Sequence, residues 1–350
     1  MKIALLAPPY LPVPPVGYGG TERIVHFLAE GLVKKGHKVI LFASGDSQTS
    51  AKLYSTFAKS LGNSGETKDK PLYPLLSYID CFSRASDFDI IHNHAQYYAM
   101  FLADLVKTPV VHTIHGSFAK GEVPEDKRMT LERFRKHYFV SISFNQREPL
   151  PDLNWVETVY NGIDISEYPF SGKKGDYLLW VGRITWKKGP VEAIEVAKRL
   201  KMKLKIAAVI DPVDQEFFEK EVAPLVDGKL IEFIGELPEK EKGSVYGNAY
   251  CTLYPIHWHE PFGLVMAESL ACGTPVVAFN IGSVPEVVLD GKTGYVVEDT
   301  RQMVEAVKKI ETIDRALCRK VVEEKFTIEK MVEGYEKVYE KILKNKNQEL

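Results

Sequence analysis

The stretch "DYLLWVGRITWKKGPVEAIEVAKRLKMKLKIAAVI", Asp176 to Ile210, decides the fold. "DYLLWVGRI" is a short apolar run of the kind a doubly buried strand shows. "GPVEAIEVAKRL" has the apolar spacing of a helix, and "KLKIAAVI" is a second buried strand. Strand, helix and strand in this order make a parallel β-α-β unit.

The same alternation extends both ways. Upstream come the strand "KIALLA", the helix "GGTERIVHFLAEGLVKKGH" ending near Gly36, and the strand "KVILFAS". A polar loop "GNSGETKDKP", a helical stretch from about Leu72, the strand "DIIHNH", a helix "YYAMFLADLV" and the strands "PVVHTIHG", "YFVSIS" and "VETVYNGID" follow. Downstream lie the helix "FFEKEVAPLV", the strands "IEFIGEL" and "CTLYP", the helix "FGLVMAESLACG", the strand "PVVAF", a short helix "SVPEVVLDG" and the strand "GYVV". Helices fill the end. This pattern predicts an α/β chain of two doubly wound, Rossmann-like domains, residues 1–167 and 168–327, with the linker near Ile165 to Lys174. Ligands of such sheets bind at the carboxyl ends of the strands, so the two domains are expected to face a central cleft.

A length of 350 residues suits two domains, and a net charge of −2 offers no basic field for nucleic acid. Cys81, Cys251, Cys272 and Cys318 are scattered and form no metal-type pair, which fits reduced thiols and a cytoplasmic location. The opening "MKIALLAPPYLP" is a strand cut by prolines rather than a signal peptide, and no apolar run is long enough for a membrane span. "AKGEVPEDKRMTLERFRKH" reads as a solvated helix in preference to a membrane-surface segment, and the tail "KILKNKNQEL" as a fraying helix end.

Three loops at strand ends carry chemistry. In "PPVGYGGTE", Gly17, Gly19 and Gly20 precede a helix start, where backbone can approach an anion. An ordinary strand-to-helix turn would look the same, and the spacing is not G-x-G-x-x-G. In "WVGRITWKKGP", Arg183 and Lys188 follow a strand and suit a diphosphate, as a fork and a point charge. In "HWHEPFGLVMAESLACGTP", Glu260 lies just before a helix expected from about Phe262 to Ala271, and Glu268 lies inside it among apolar residues. The N–H groups of Phe262, Gly263 and Leu264 would be unpaired there. Glu268 could chelate adjacent ribose hydroxyls, and Glu260 could accept from a second sugar. The alternative is a capping acid and a surface carboxylate, against which the apolar flanks weigh.

Four histidines also end strands. His92, His94, His112 and His115 have no acidic neighbour in sequence, which argues against a metal site. His94 and His115 are expected to face the cleft, His92 and His112 to be structural, and His257 and His259 to line the donor pocket.

"HEPFGLVMAESLACGTPVVAFNIGSVPEVVLDGKTGYVVED" resembles the signature of glycosyltransferase family 4, the retaining GT-B transferases. "VGRITWKKG" resembles that family's phosphate-binding segment, "YNGID" its interdomain segment and "GYGGTE" its N-terminal glycine loop. The resemblance runs over nearly the whole chain. It implies that Glu268 holds the ribose of a nucleoside diphosphate sugar, and that Glu260 and the backbone of Phe262, Gly263 and Leu264 hold the donor sugar. Arg183 and Lys188 would neutralise the leaving diphosphate. Gly19 and Gly20 would close on the phosphate, His115 would face the donor sugar, and the backbone of Gly235, Glu236 and Leu237 would read the base. A C-terminal helix, about 328–345, would return to the first domain.

The implied reaction moves a hexose, with UDP-glucose the expected donor, to a hydroxyl of a small-molecule or glycan acceptor with retention, and needs no cofactor or metal. The N-terminal loops resemble a bacterial and archaeal subgroup often labelled pterin glucosyltransferases. A sugar-nucleotide epimerase on the same architecture and a non-catalytic nucleotide-binding module are the competing readings.

Overall fold

The computed structural model describes residues 1–62 and 72–348. The polar loop expected over "GNSGETKDKP" lies, beyond Gly62, outside the described residues, as do the last two residues of the tail. The chain divides into two compact units, one of residues 1–162 with 328–350 and one of 163–327. The division therefore falls before "GID" rather than after residue 167.

Unit 1 runs through β1 (Lys2–Leu6), α1 (Gly20–Lys34), β2 (Lys38–Phe42), β3 (Lys52–Tyr54), α2 (Leu72–Phe82), β4 (Ile90–Asn93), β5 (Val110–Thr113), α3 (Glu125–Arg133), β6 (Tyr138–Ser141) and β7 (Trp155–Thr158). Its seven strands lie in the order β3-β2-β1-β4-β5-β6-β7 and every pairing is parallel. The chain starts in the middle, at β1, winds outward to β3, then returns beside β1 as β4. The strand order therefore reverses between β1 and β4, the place where sheets of this kind bind ligands at their carboxyl edge.

Unit 2 repeats this design through β8 (Tyr177–Arg183), α4 (Pro190–Leu200), β9 (Leu204–Val209), β10 (Ile231–Gly235), α5 (Glu239–Gly247), β11 (Ala249–Tyr254), α6 (Leu264–Ala271), β12 (Val276–Phe279), β13 (Gly294–Val297), α7 (Thr300–Lys308) and α8 (Arg315–Lys325). The order is β10-β9-β8-β11-β12-β13, again parallel. Its divergence point lies between β8 and β11. All six residues of β11 are buried, as a central parallel strand requires.

The last helix, α9 (Ile328–Gln348), belongs to unit 1. It buries Met331, Val332, Tyr335, Val338, Tyr339 and Ile342 on one face. Gly31 on α1 has no side chain because Val332 occupies that space. The last helix thus packs on the first, as the resemblance implies.

Four segments differ from the sequence reading. The edge strand β3 is three residues long, too short for a periodic signal. Helix α5 was not visible in "EKEKGSVYG", because Gly243 and Gly247 weaken its helical pattern; Gly243 is there because Glu167 and Pro169 press against it. The helix expected over "FFEKEVAPLV" is a series of short helical turns, with Pro224 unable to donate to a regular ladder. "YYAMFLADLV" likewise forms only a short turn and the one-turn helix Met100–Ala103. The segment "AKGEVPEDKRMTLERFRKH" contains the mostly exposed α3, which buries Leu131 alone. Among the described residues, no helix is long and apolar enough to cross a membrane. All four cysteines are free and buried.

Candidate active site

The loops after β8 and β11 meet at the divergence point of unit 2. The first carries Lys188, on a short helical turn whose carbonyl accepts from Trp180 Nε1 at 3.1 Å. Gly189 closes the turn in the left-handed region, φ 68°, and a Cβ there would run into the Pro255 carbonyl. The two loops therefore touch through backbone, which only glycine permits. Gly189→Ala is expected to cost about 1–3 kcal/mol, lowering the melting temperature by several degrees in a thermal melt. A melt superimposable on wild type would show that the loops can part without cost.

The second loop carries Glu260. Its Oε2 accepts from the Lys188 ammonium, from Tyr254 Oη at 2.6 Å and from Trp258 Nε1 at 3.1 Å. The Lys188 ammonium also lies 4.8 Å from the centre of the Trp258 ring. Only 17% of the Lys188 side chain and 11% of the Glu260 side chain are exposed, so the pair is largely desolvated and needs these extra donors. The Glu260 backbone is clamped as well. Its carbonyl accepts from Ser283 N at 2.9 Å, and Gly282 lies flat against it. Ser283 Oγ donates to the Phe262 carbonyl at 2.8 Å.

Helix α6 begins two residues later than expected. Gly263 stands before it with φ 79°, and Leu264 is its first residue. A Cβ on Gly263 would meet Met266 Cε at 2.6 Å, Glu260 Cγ at 3.2 Å and Tyr254 Oη at 3.3 Å, so this glycine keeps Glu260 and the helix start close. Phe262 turns into the core against Phe326. Its side chain is structural, and its backbone is what the loop can offer a ligand.

Glu268 is 5% exposed, and its Oε2 accepts from Tyr246 Oη at 2.9 Å. One carboxylate oxygen is thus committed to α5. Burial and the Glu268 charge push the Tyr246 phenol well above its ordinary pKa, so it stays a donor. Arg183 is tied up too: Nε lies 3.3 Å from Asp214 Oδ2 and Nη1 lies 3.7 Å from Asp211 Oδ2. Gly235, φ 72°, ends β10 at a register shift, followed by exposed Glu236 and half-buried Leu237. The structure brings Lys188 and Glu260 into contact. Arg183, Glu268 and Gly235 share their carboxyl edge or its helices but bond to other partners.

In unit 1, Gly19 is buried, and a Cβ there would meet Pro15 Cβ at 2.6 Å, so the glycine serves the folding of its own loop. Gly20 is exposed and opens α1. Glu22 in the first turn of α1 is buried, and desolvation pushes its pKa up to about 7. His115 is partly exposed just past β5, and desolvation pushes its pKa down to about 4. His94 is buried rather than open to ligand, and bonds His115 and His92. His112 is structural: it joins Asn93 to His137, which bonds Asp104. Gln96 beside them adopts φ 69° and ψ −150°, a strained region for a non-glycine residue, secured by Asn93 Nδ2 donating to its carbonyl at 2.9 Å. Among the described residues, no cluster of three or more His, Cys, Asp or Glu is placed to hold a metal. His257 bonds Glu192 at 2.7 Å and stacks near Trp186.

Tyr254, Trp258, Tyr246, Asp211 and Asp214 were not singled out from sequence. Trp258 sits inside the quoted "HWHE" and Tyr254 ends "CTLYP", but nothing local says which carboxylate an indole or phenol will find.

The model for "Glycosyl transferases group 1" matches residues 164–326, and that for "Glycosyltransferase Family 4" matches residues 18–167. The chain belongs to glycosyltransferase family 4. This transferase is 25% identical over 343 residues to glycogen synthase of Mycobacterium tuberculosis, across 84% of its own chain and 81% of that protein. Its fold is the GT-B fold. Sucrose-phosphate synthase from Thermosynechococcus elongatus superposes with a TM-score of 0.81 at 20% identity, over 98% of this chain and 99% of that one. Anabaena HepE, solved in complex with UDP-glucose, superposes at 0.74 and 14% identity, over 98% of this chain and 99% of the other.

Proposed function

We propose that this glycosyltransferase moves glucose from UDP-glucose to a hydroxyl of a small-molecule or glycan acceptor, with retention at the anomeric carbon. The observation that carries the reading is the desolvated Lys188–Glu260 pair at the divergence point of unit 2, braced by Tyr254 and Trp258. HepE, with UDP-glucose in its solved complex, supports the donor.

Lys188 exchanges its carboxylate partner for the diphosphate, and Glu260 is released to accept from sugar hydroxyls. Glu268 has its second oxygen for the ribose, and the backbone from Gly235 to Leu237 meets the base. Arg183 must leave Asp211 and Asp214 to join Lys188. As the bond from C1 to the diphosphate oxygen breaks, these cations and the start of α6 stabilise the leaving group. The acceptor oxygen bonds C1 on the same face, and its proton passes to the departing phosphate. His115 and the Gly19–Gly20 turn are the groups of unit 1 assigned to substrate binding. No metal is needed where side chains and backbone supply the positive charge.

Thermal shift with UDP, GDP, ADP and NAD tests this. A ligand at about 100 times its dissociation constant adds about 2.7 kcal/mol, so UDP is expected to raise the melting temperature by several degrees, unchanged by EDTA. A shift with NAD alone, or with none of the four, would remove the donor site.

A further inference from the structure

Four side chains, Tyr339, His92, His94 and His115, form a hydrogen-bonded line through unit 1, from α9 to the carboxyl edge of the sheet, and Thr113 branches from His92. The Tyr339 hydroxyl is fully buried and has one partner among the described residues, His92 Nδ1 at 2.7 Å. A buried phenol proton with no acceptor is costly, so Tyr339 donates and His92 Nδ1 is bare. The lengths agree: 2.7 Å suits an O–H donor, and 2.9 Å from His92 Nε2 to Thr113 Oγ1 suits an N–H donor.

His94 Nε2 lies 3.2 Å from that bare nitrogen and must carry its own proton. Its Nδ1 is then bare, and His115 Nε2, 2.9 Å away, must donate to it. Burial lowers the pKa of all three imidazoles, so each holds one proton near neutral pH. The neighbouring line obeys the same logic. Asn93 Oδ1 accepts from Ala95 N, so Nδ2 donates to His112 Nδ1, and the order runs outward to the Asp104 carboxylate.

We propose that His94, backed by His92 and Tyr339, is a positioning residue that fixes His115 as the Nε2–H tautomer with a bare Nδ1. That nitrogen has no partner among the described residues, on a partly exposed ring at the carboxyl edge of the sheet. It can only accept, so it selects a ligand hydroxyl and rejects a bare oxygen. This rests on the reading of His115 as a substrate contact.

Long-range 15N–1H correlation on the histidine-labelled full chain reads the tautomer without any assay. His115→Gln assigns the signal. Wild type is expected to show His115 protonated at Nε2. Tyr339→Phe, which keeps the ring and its packing, and His94→Leu are expected to mix or invert the tautomer. Each should lower kcat about tenfold, the weight of one hydrogen bond, with KM for the donor little changed. His94→Asn, whose amide oxygen can accept from His115, should restore both. Nδ1–H in wild type, or Nε2–H persisting in His94→Leu, overturns the assignment whatever the enzyme transfers. A tautomer that changes without loss of turnover overturns the positioning role, while the donor site still stands or falls on UDP binding.

Discussion

Lys188→Met is expected to lower kcat by about 10²- to 10³-fold, the usual loss when one group stabilising a developing negative charge is removed. Methionine preserves the aliphatic stem against Trp258 and Tyr254, so the change isolates the charge. It also strands Glu260. Breaking a fully buried ion pair costs about 3–5 kcal/mol, but here the carboxylate keeps Tyr254 and Trp258 as donors and some solvent contact. A smaller loss of about 1–3 kcal/mol is expected. Adding Glu260→Gln should recover most of that stability and none of the turnover. Steady-state kinetics with UDP-glucose and urea unfolding of the two single variants and the double variant separate the effects. Turnover within threefold of wild type in Lys188→Met would remove Lys188 from the reaction.

Glu268→Gln is expected to weaken UDP binding by about 1.5–3 kcal/mol, the value of hydrogen bonds to a charged group, or roughly 10- to 150-fold in Kd. Stability should barely change, because the introduced amide oxygen can still accept from Tyr246. A nucleotide lacking one hydroxyl sharpens the test. Wild type should prefer UDP over 2′-deoxy-UDP, and the variant should lose most of that preference. Titration calorimetry reads both. An unchanged Kd, or an undiminished preference, would mean that Glu268 serves only to hold α5 through Tyr246.

The two predictions rest on residues of unequal legibility. Glu260 and Glu268 were readable because carboxylates among apolar residues conflict with local chemistry, and such a conflict calls for a partner. Arg183 was readable as a cation after a strand, but its ties to Asp211 and Asp214 were not. Those aspartates follow β9, the next strand in the chain, and only the sheet sets them beside β8. His94 was expected to face the cleft and is instead a buried interior link. Alternation along β4 and the residue after it puts His92 and His94 on one face, but the two tyrosines of α9 that close that face lie at the other end of the chain. Helix α5 is hidden in the sequence because Gly243 answers to packing against Glu167 and Pro169, and Gly247 to Ser171, not to helix formation.

Sequence alone determined most of the elements, the parallel character of both sheets and the strand-end loops proposed to carry the chemistry. Local apolar periodicity reports which faces are buried, and parallel strands need crossovers of readable length. Only the tertiary structure decided which groups meet. Lys188 and Glu260 are 72 residues apart, and His92 and Tyr339 are 247. Such contacts follow from strand order and from where the last helix packs. These are outcomes of the whole core burying itself at once, and no local window of residues encodes them.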